Sequence, residues 1–86
     1  MDINQLILII KKKLKENILI EKINIEDKTF LHKKHQSHQA GKFHLKLIIK
    51  SNDLSKQNKI NSTKKIYSIL DEEMKKYIHS IQILIS

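Results

Sequence analysis

The apolar residues of this chain change period three times, and that switching fixes the kind of fold it can adopt. Ile3, Leu6, Ile7, Ile10 and Leu14 recur at helical spacing behind Asp2, an acidic N-cap followed three residues later by Gln5. The spacing predicts a helix over residues 3–16. From Ile18 the period shortens to two, with Leu19, Ile23 and Ile25 on one side and Lys22, Asn24 and Glu26 on the other. A second alternating run, Phe43, Leu45, Leu47 and Ile49, carries His44, Lys46 and Lys50 on its opposite face. These two runs form an antiparallel pair. Residues 51–60 read as a turn with one helical turn at most. Helical spacing returns over residues 61–77, with Tyr67, Leu70, Met74 and Tyr77 inward and Ile66 and Ile69 widening the stripe. Ile81, Ile83 and Ile85 then close the chain as a third strand.

A strand joined to a later one through a helix makes a right-handed parallel crossover, so strands two and three should run parallel. The helices must then cover one face of a three-stranded mixed sheet. The expected class is α+β, an αββ(α)αβ split sandwich forming a single domain over residues 1–86.

The chain has 86 residues, and one of this length buries only about 60–65 % of the surface it exposes when unfolded. A deep catalytic cleft is not expected. Seventeen lysines and no arginine stand against nine acids, giving a net charge of +8. Such a balance attracts phosphate backbones, anionic membranes or an acidic protein without naming one. Missing arginine argues against bidentate reading of guanine, while nonspecific binding through Lys11, Lys12, Lys13, Lys15, Lys64 and Lys65 stays open. The four N-terminal lysines also suit an ordinary solvated face near the end of the first helix, where the macrodipole favours positive charge. Only two Phe and two Tyr occur, too few for a base-stacking platform.

No Cys is present, which excludes a disulfide framework, a thiolate zinc site and a thiol nucleophile. The longest apolar run, Leu6 to Ile10, is far short of the roughly 20 residues that span a bilayer. The expected place is the cytoplasm or an organelle matrix, with no membrane partner and a monomer when alone. An enzyme is not expected. Ser37 beside His38, or Ser80 beside His79, supplies a nucleophile and a base, but adjacent residues point apart and no oxyanion hole is evident.

Chemistry concentrates in the five histidines. His32, His35 and His38 lie three apart in a polar segment from Phe30 to Gly41, too long for a plain hairpin. His44 opens the second strand and His79 the third, and the parallel crossover brings those two starts together. Neutral imidazole suits borderline metals including iron, so a two-histidine surface site completed by a partner is sensible.

The order of residues says more. Asp27, Thr29 and His32, then His35, Gly41 and the stretch from His44 through Lys46 to Ile49 and Ser51, resemble the BolA family. The likeness continues through Ile66, Tyr67, Ser68 and Leu70, then Glu72, Glu73 and Met74, and ends at the Ile78–His79 pair. Membership would imply a fold similar to class II KH domains, without their Gly-rich clamp. It would also imply pairing with a monothiol glutaredoxin around a bridging [2Fe-2S] cluster, for which the partner gives a Cys and bound glutathione. Position by position, the resemblance makes His79 the constant ligand and His32 the loop ligand, with His35 a close competitor and His44 weaker. One departure stands out: where relatives carry a basic, histidine-containing run before the position of Tyr67, this chain has Ser62, Thr63, Lys64 and Lys65. That weakens the DNA contact credited to the same segment in some relatives.

Overall fold

The computed structural model describes residues 1–29 and 42–86. Its elements are α1 (Ile3–Asn17), β1 (Lys22–Asp27), β2 (Phe43–Lys50), α2 (Asn52–Ser55), α3 (Lys59–Ile69), α4 (Asp71–Lys76) and β3 (Ile78–Ile85). The sheet order is β1-β2-β3, with β1 antiparallel to β2 and β2 parallel to β3, as the crossover rule requires.

Helix α1 begins where the sequence says it should. The Asp2 carboxylate accepts the Gln5 backbone N–H at 2.9 Å, and the Gln5 side chain accepts the Asp2 N–H in return. That reciprocal capping box satisfies two amides that the helix itself leaves unbonded. Leu6, Ile10 and Leu14 of α1 are buried against Leu45, Leu47 and Ile49 of β2, with Ile25, Ile66 and Leu70 in the same cluster. The helices therefore cover the sheet face that carries the odd-numbered residues of β2.

Four expectations needed correction. Leu19 does not join β1: it is 71 % exposed in the connection, and Ile18, the C-cap of α1, takes the buried place. The helix expected over residues 61–77 is two helices, broken at Leu70, whose backbone leaves the helical region at φ −97° and ψ 17°. Charge marks the break. Asp71, Glu72 and Glu73 fill the first turn of α4 and Lys75 and Lys76 its last, the arrangement that helix dipoles favour at a fresh start and end. With the stripe divided, Ile66 and Leu70 point fully inward while Tyr67 is 39 % exposed, so Tyr67 is not a core residue. The fourth correction concerns Lys13. Instead of belonging to a solvated lysine face, its Nζ lies 2.5 Å from a Glu73 carboxylate oxygen and 3.8 Å from one of Glu72, joining α1 to α4.

Short α2 is held by a single buried residue. Ser51 Oγ donates to the Leu19 carbonyl at 2.7 Å and accepts the Leu54 N–H at 3.2 Å, acting as the N-cap. Ser62 Oγ in turn donates to the Leu54 carbonyl at 2.7 Å and fixes α2 against α3. Ser51→Ala should cost about 1–2 kcal/mol, because it removes the cap together with the hydroxyl's bond to the Leu19 carbonyl. Urea unfolding with an unchanged slope would measure it; a loss below a few tenths would mean water replaces the hydroxyl.

Candidate functional site

The site lies at the end of the sheet where β2 and β3 both begin. Parallel pairing sets Phe43 opposite Ile78 and His44 opposite Ser80, with a register irregularity between Phe43 and His44. The extra residue is His79, which the ladder skips between Ile78 and Ser80. Here His44, expected on the polar face, is 5 % exposed, and its Nδ1 is hydrogen-bonded to Ser80 Oγ at 2.7 Å. The Ser80 that the sequence sets beside His79 is thus engaged with a different histidine. His79 itself is exposed at the second position of β3. Its ring centre lies 4.7 Å from that of His44, with the planes tilted by 55°.

Backbone contacts hold this end in place. The Asp27 carboxylate accepts both the Thr29 N–H at 2.9 Å and the Thr29 hydroxyl, closing a tight turn after β1. Thr29 Oγ1 accepts the His44 N–H at 3.2 Å, and the Lys28 N–H donates to the His44 carbonyl at 2.7 Å. On the other side the Phe43 N–H donates to the Tyr77 carbonyl at 2.9 Å. Thr29 and Phe43, between which the histidine-bearing segment runs, therefore both sit at the His79 end of the sheet. His32, His35, His38 and Gly41 lie in residues 30–41, outside the described residues.

Of the site residues expected from sequence, His79 is where the strand order put it. His44, the weaker candidate, is its immediate neighbour, and its burial on the face expected to be polar has no signal in the alternation of β2. Among the described residues no group of three or more His, Cys, Asp or Glu converges. An exposed imidazole flanked by a second, oriented one still offers the nitrogen donor chemistry that borderline metals take. That donor set fits a metal group completed from elsewhere. The lysines of the DNA reading separate: Lys64, Lys65, Lys12 and Lys15 are exposed, Lys11 is half-buried, and Lys13 is occupied by Glu73. No helix among the described residues is long and apolar enough to cross a membrane.

Architecture and site together define a small α+β domain that presents a histidine where a parallel strand pair opens. The model of the family described as BolA-like protein matches residues 14–86, and the chain belongs to that family. Solved structures show the same fold. The BolA domain of SufE1 from Arabidopsis thaliana superposes with a TM-score of 0.76 at 23 % identity, covering 92 % of this chain and 87 % of that one. BolA1 from the same plant gives 0.75 at 21 %, with the same coverage. A bol-like protein from Babesia bovis gives 0.69 at 13 %, covering 91 % of this chain and 79 % of its own. No protein of curated function matches significantly.

Proposed function

We propose that this chain is a non-enzymatic adaptor that pairs with a monothiol glutaredoxin and shares a bridging [2Fe-2S] cluster with it, in iron-sulfur cluster assembly, trafficking or iron regulation. His79 is its constant ligand and His32 or His35 the second, while the glutaredoxin supplies a Cys and bound glutathione. The observation that carries this reading is the exposed His79 imidazole, standing 4.7 Å from His44 at the same sheet end as Thr29 and Phe43, which flank the loop histidines. The cluster would supply electron storage and transferable iron. This chain's own residues bind and orient: the His44–Ser80 hydrogen bond stiffens the opening of β3, and the Asp27–Thr29 turn fixes where the histidine-bearing segment leaves the sheet.

The test is anaerobic mixing with a monothiol glutaredoxin, iron, sulfide and glutathione, followed by visible absorption and circular dichroism. His79→Ala should abolish or strongly shift the heterodimer spectrum, while the far-ultraviolet signal of the fold stays. An unchanged cluster spectrum would remove His79 as ligand.

A second reading, a nucleic-acid-binding regulator, is favoured by adjacent exposed Lys64 and Lys65 on α3 and by the charge of +8. Binding of that kind loses affinity with a log-log salt slope of about −0.9 per phosphate contacted on duplex DNA. A gel shift that ignores salt, or none at low salt, would count against it.

A further inference from the structure

At the end of the sheet away from His79 the lysines are arranged differently. A concavity of about 580 Å³ at this edge is lined by Lys11 and Lys15 of α1, Lys22 of β1 and Lys50 of β2, with Ile20, Ile23 and Ile48 also in its lining. Register places it: Lys22 is paired with Lys50, six residues along β2 from His44 and so roughly 20 Å away at 3.3 Å per residue. Five of the domain's other lysines have a carboxylate partner. Lys12, Lys13, Lys28, Lys75 and Lys76 each lie within 4.0 Å of a carboxylate. Lys11, Lys15, Lys22 and Lys50 make no ion pair among the described residues. The one acidic side chain in the lining, Glu21, turns its carboxylate toward the Asn52 N–H at 3.3 Å, at the start of α2. Four lysines around one hollow give it a positive potential, which a partner of opposite charge complements.

We infer that this concavity docks an acidic, amphipathic peptide segment of a partner protein, with carboxylates meeting the four lysines and an aliphatic or aromatic side chain set against the isoleucines of the lining. Three features favour this occupant over a phosphate polymer or a membrane. Isoleucines in the lining have nothing to offer a phosphate backbone, and the lining holds no aromatic ring on which a base could stack. A recessed surface cannot lie flat on a bilayer. Strand β1 has a neighbour on one side only, so an extended segment has a sheet edge beside the lysines along which to run. The site is independent of cluster ligation, since it uses none of the histidines and occupies the opposite end of the sheet.

The test uses the intact chain without glutaredoxin or iron. A fluorescein-labelled peptide alternating Glu with Leu is titrated by anisotropy at low salt, beside an all-Glu peptide of equal length and a labelled DNA duplex. The alternating peptide should bind more tightly than both, and its amide shift changes should map to Lys11, Lys15, Ile20, Lys22, Ile48 and Lys50. Lys22→Gln with Lys50→Gln should weaken it about tenfold or more, and Lys64→Gln with Lys65→Gln should leave it unchanged. No binding, equal or tighter binding of the all-Glu peptide or the DNA, or shifts centred on Lys64 and Lys65 would each overturn the assignment. Because the shift map is made on the unsubstituted protein, the result stands even if a variant fails to fold.

Discussion

Replacing Lys13 with Met should destabilise the domain more than removing any other lysine, while replacing Lys13 with Met and Glu73 with Leu together should restore most of the loss. Glu73 is 5 % exposed at its side chain, one oxygen bonded to Lys13 and the other, Oε1, without a hydrogen-bond partner among the described residues. Removing the lysine strands a buried carboxylate, the costly half of any buried ion pair. Removing both leaves apolar surface and also deletes an unsatisfied atom, so the double variant can equal or exceed the parent. Urea midpoints of the parent, both single variants and the double variant form the cycle that measures this. A Lys13→Met loss no larger than that of Lys12→Met, whose partner Glu16 is exposed, would show the pair to be ornamental.

The same pair sets the alkaline edge of stability. The hydrogen bond to Glu73 raises the Lys13 ammonium above its ordinary 10.5. The folded state thus holds that proton more tightly than the unfolded chain does, and the contribution is full below about 10.5 and lost as pH climbs through the raised value. Glu72 moves the opposite way. Its hydrogen bond to Lys76 lowers it beneath 4.5, so its contribution is present above 4.5 and lost as pH falls through the depressed value. The raised Lys76 ammonium follows Lys13 at the alkaline end. There is a reason to expect the effect to reach the site: the Tyr77 N–H donates to the Glu73 carbonyl, and Tyr77 accepts the Phe43 N–H one residue before β3 begins. Loosening α4 should therefore broaden the His79 imidazole signals in nuclear magnetic resonance before the domain unfolds.

Leu47→Ala should cost about 2–5 kcal/mol, a large part of the roughly 5–15 kcal/mol that holds a domain of this kind together. Leu47 sits mid-strand in the central strand, opposite Ile25 of β1 and Ile83 of β3, and is fully buried. Its removal leaves a cavity that two strands and the overlying helices cannot all close upon. Leu84 is chemically the same residue on the opposite face of the sheet and is 39 % exposed. Leu84→Ala should cost under about 1 kcal/mol. Comparable losses at the two positions would mean that the second face is covered too, and would overturn the one-sided arrangement of helices.

How much of this was legible beforehand differs by element. The α1 cap, both strand pairings and the direction of β3 followed from local rules: a carboxylate bonds the nearest free amide, alternation chooses a face, and crossovers have one hand. His79 was placed by the same logic, since parallel pairing forces two strand starts together. The break at Leu70 was also legible, in Asp71, Glu72 and Glu73 followed by Lys75 and Lys76, but apolar spacing ran through it and concealed it. Leu19 was misjudged because two-residue alternation continues across the α1–β1 connection, and only the position of Ile18 as a cap turns it outward. No local signal marked Lys13 as different from its three neighbours. Its partner lies sixty positions away, and the meeting depends on how α4 packs against α1.

What the sequence by itself determined is the α+β order, the family and the identity of the exposed ligand candidate, because each rests on short-range spacing or on residues in fixed order. Only the tertiary structure decided which charges are used up and which are left. The ion pair that neutralises Lys13, the hydrogen bond between His44 and Ser80, and the gathering of Lys11 and Lys15 with Lys22 and Lys50 around one hollow all join residues that are remote in the chain. Electrostatic energy depends on distance in space, and a one-dimensional sequence carries the charges but not those distances.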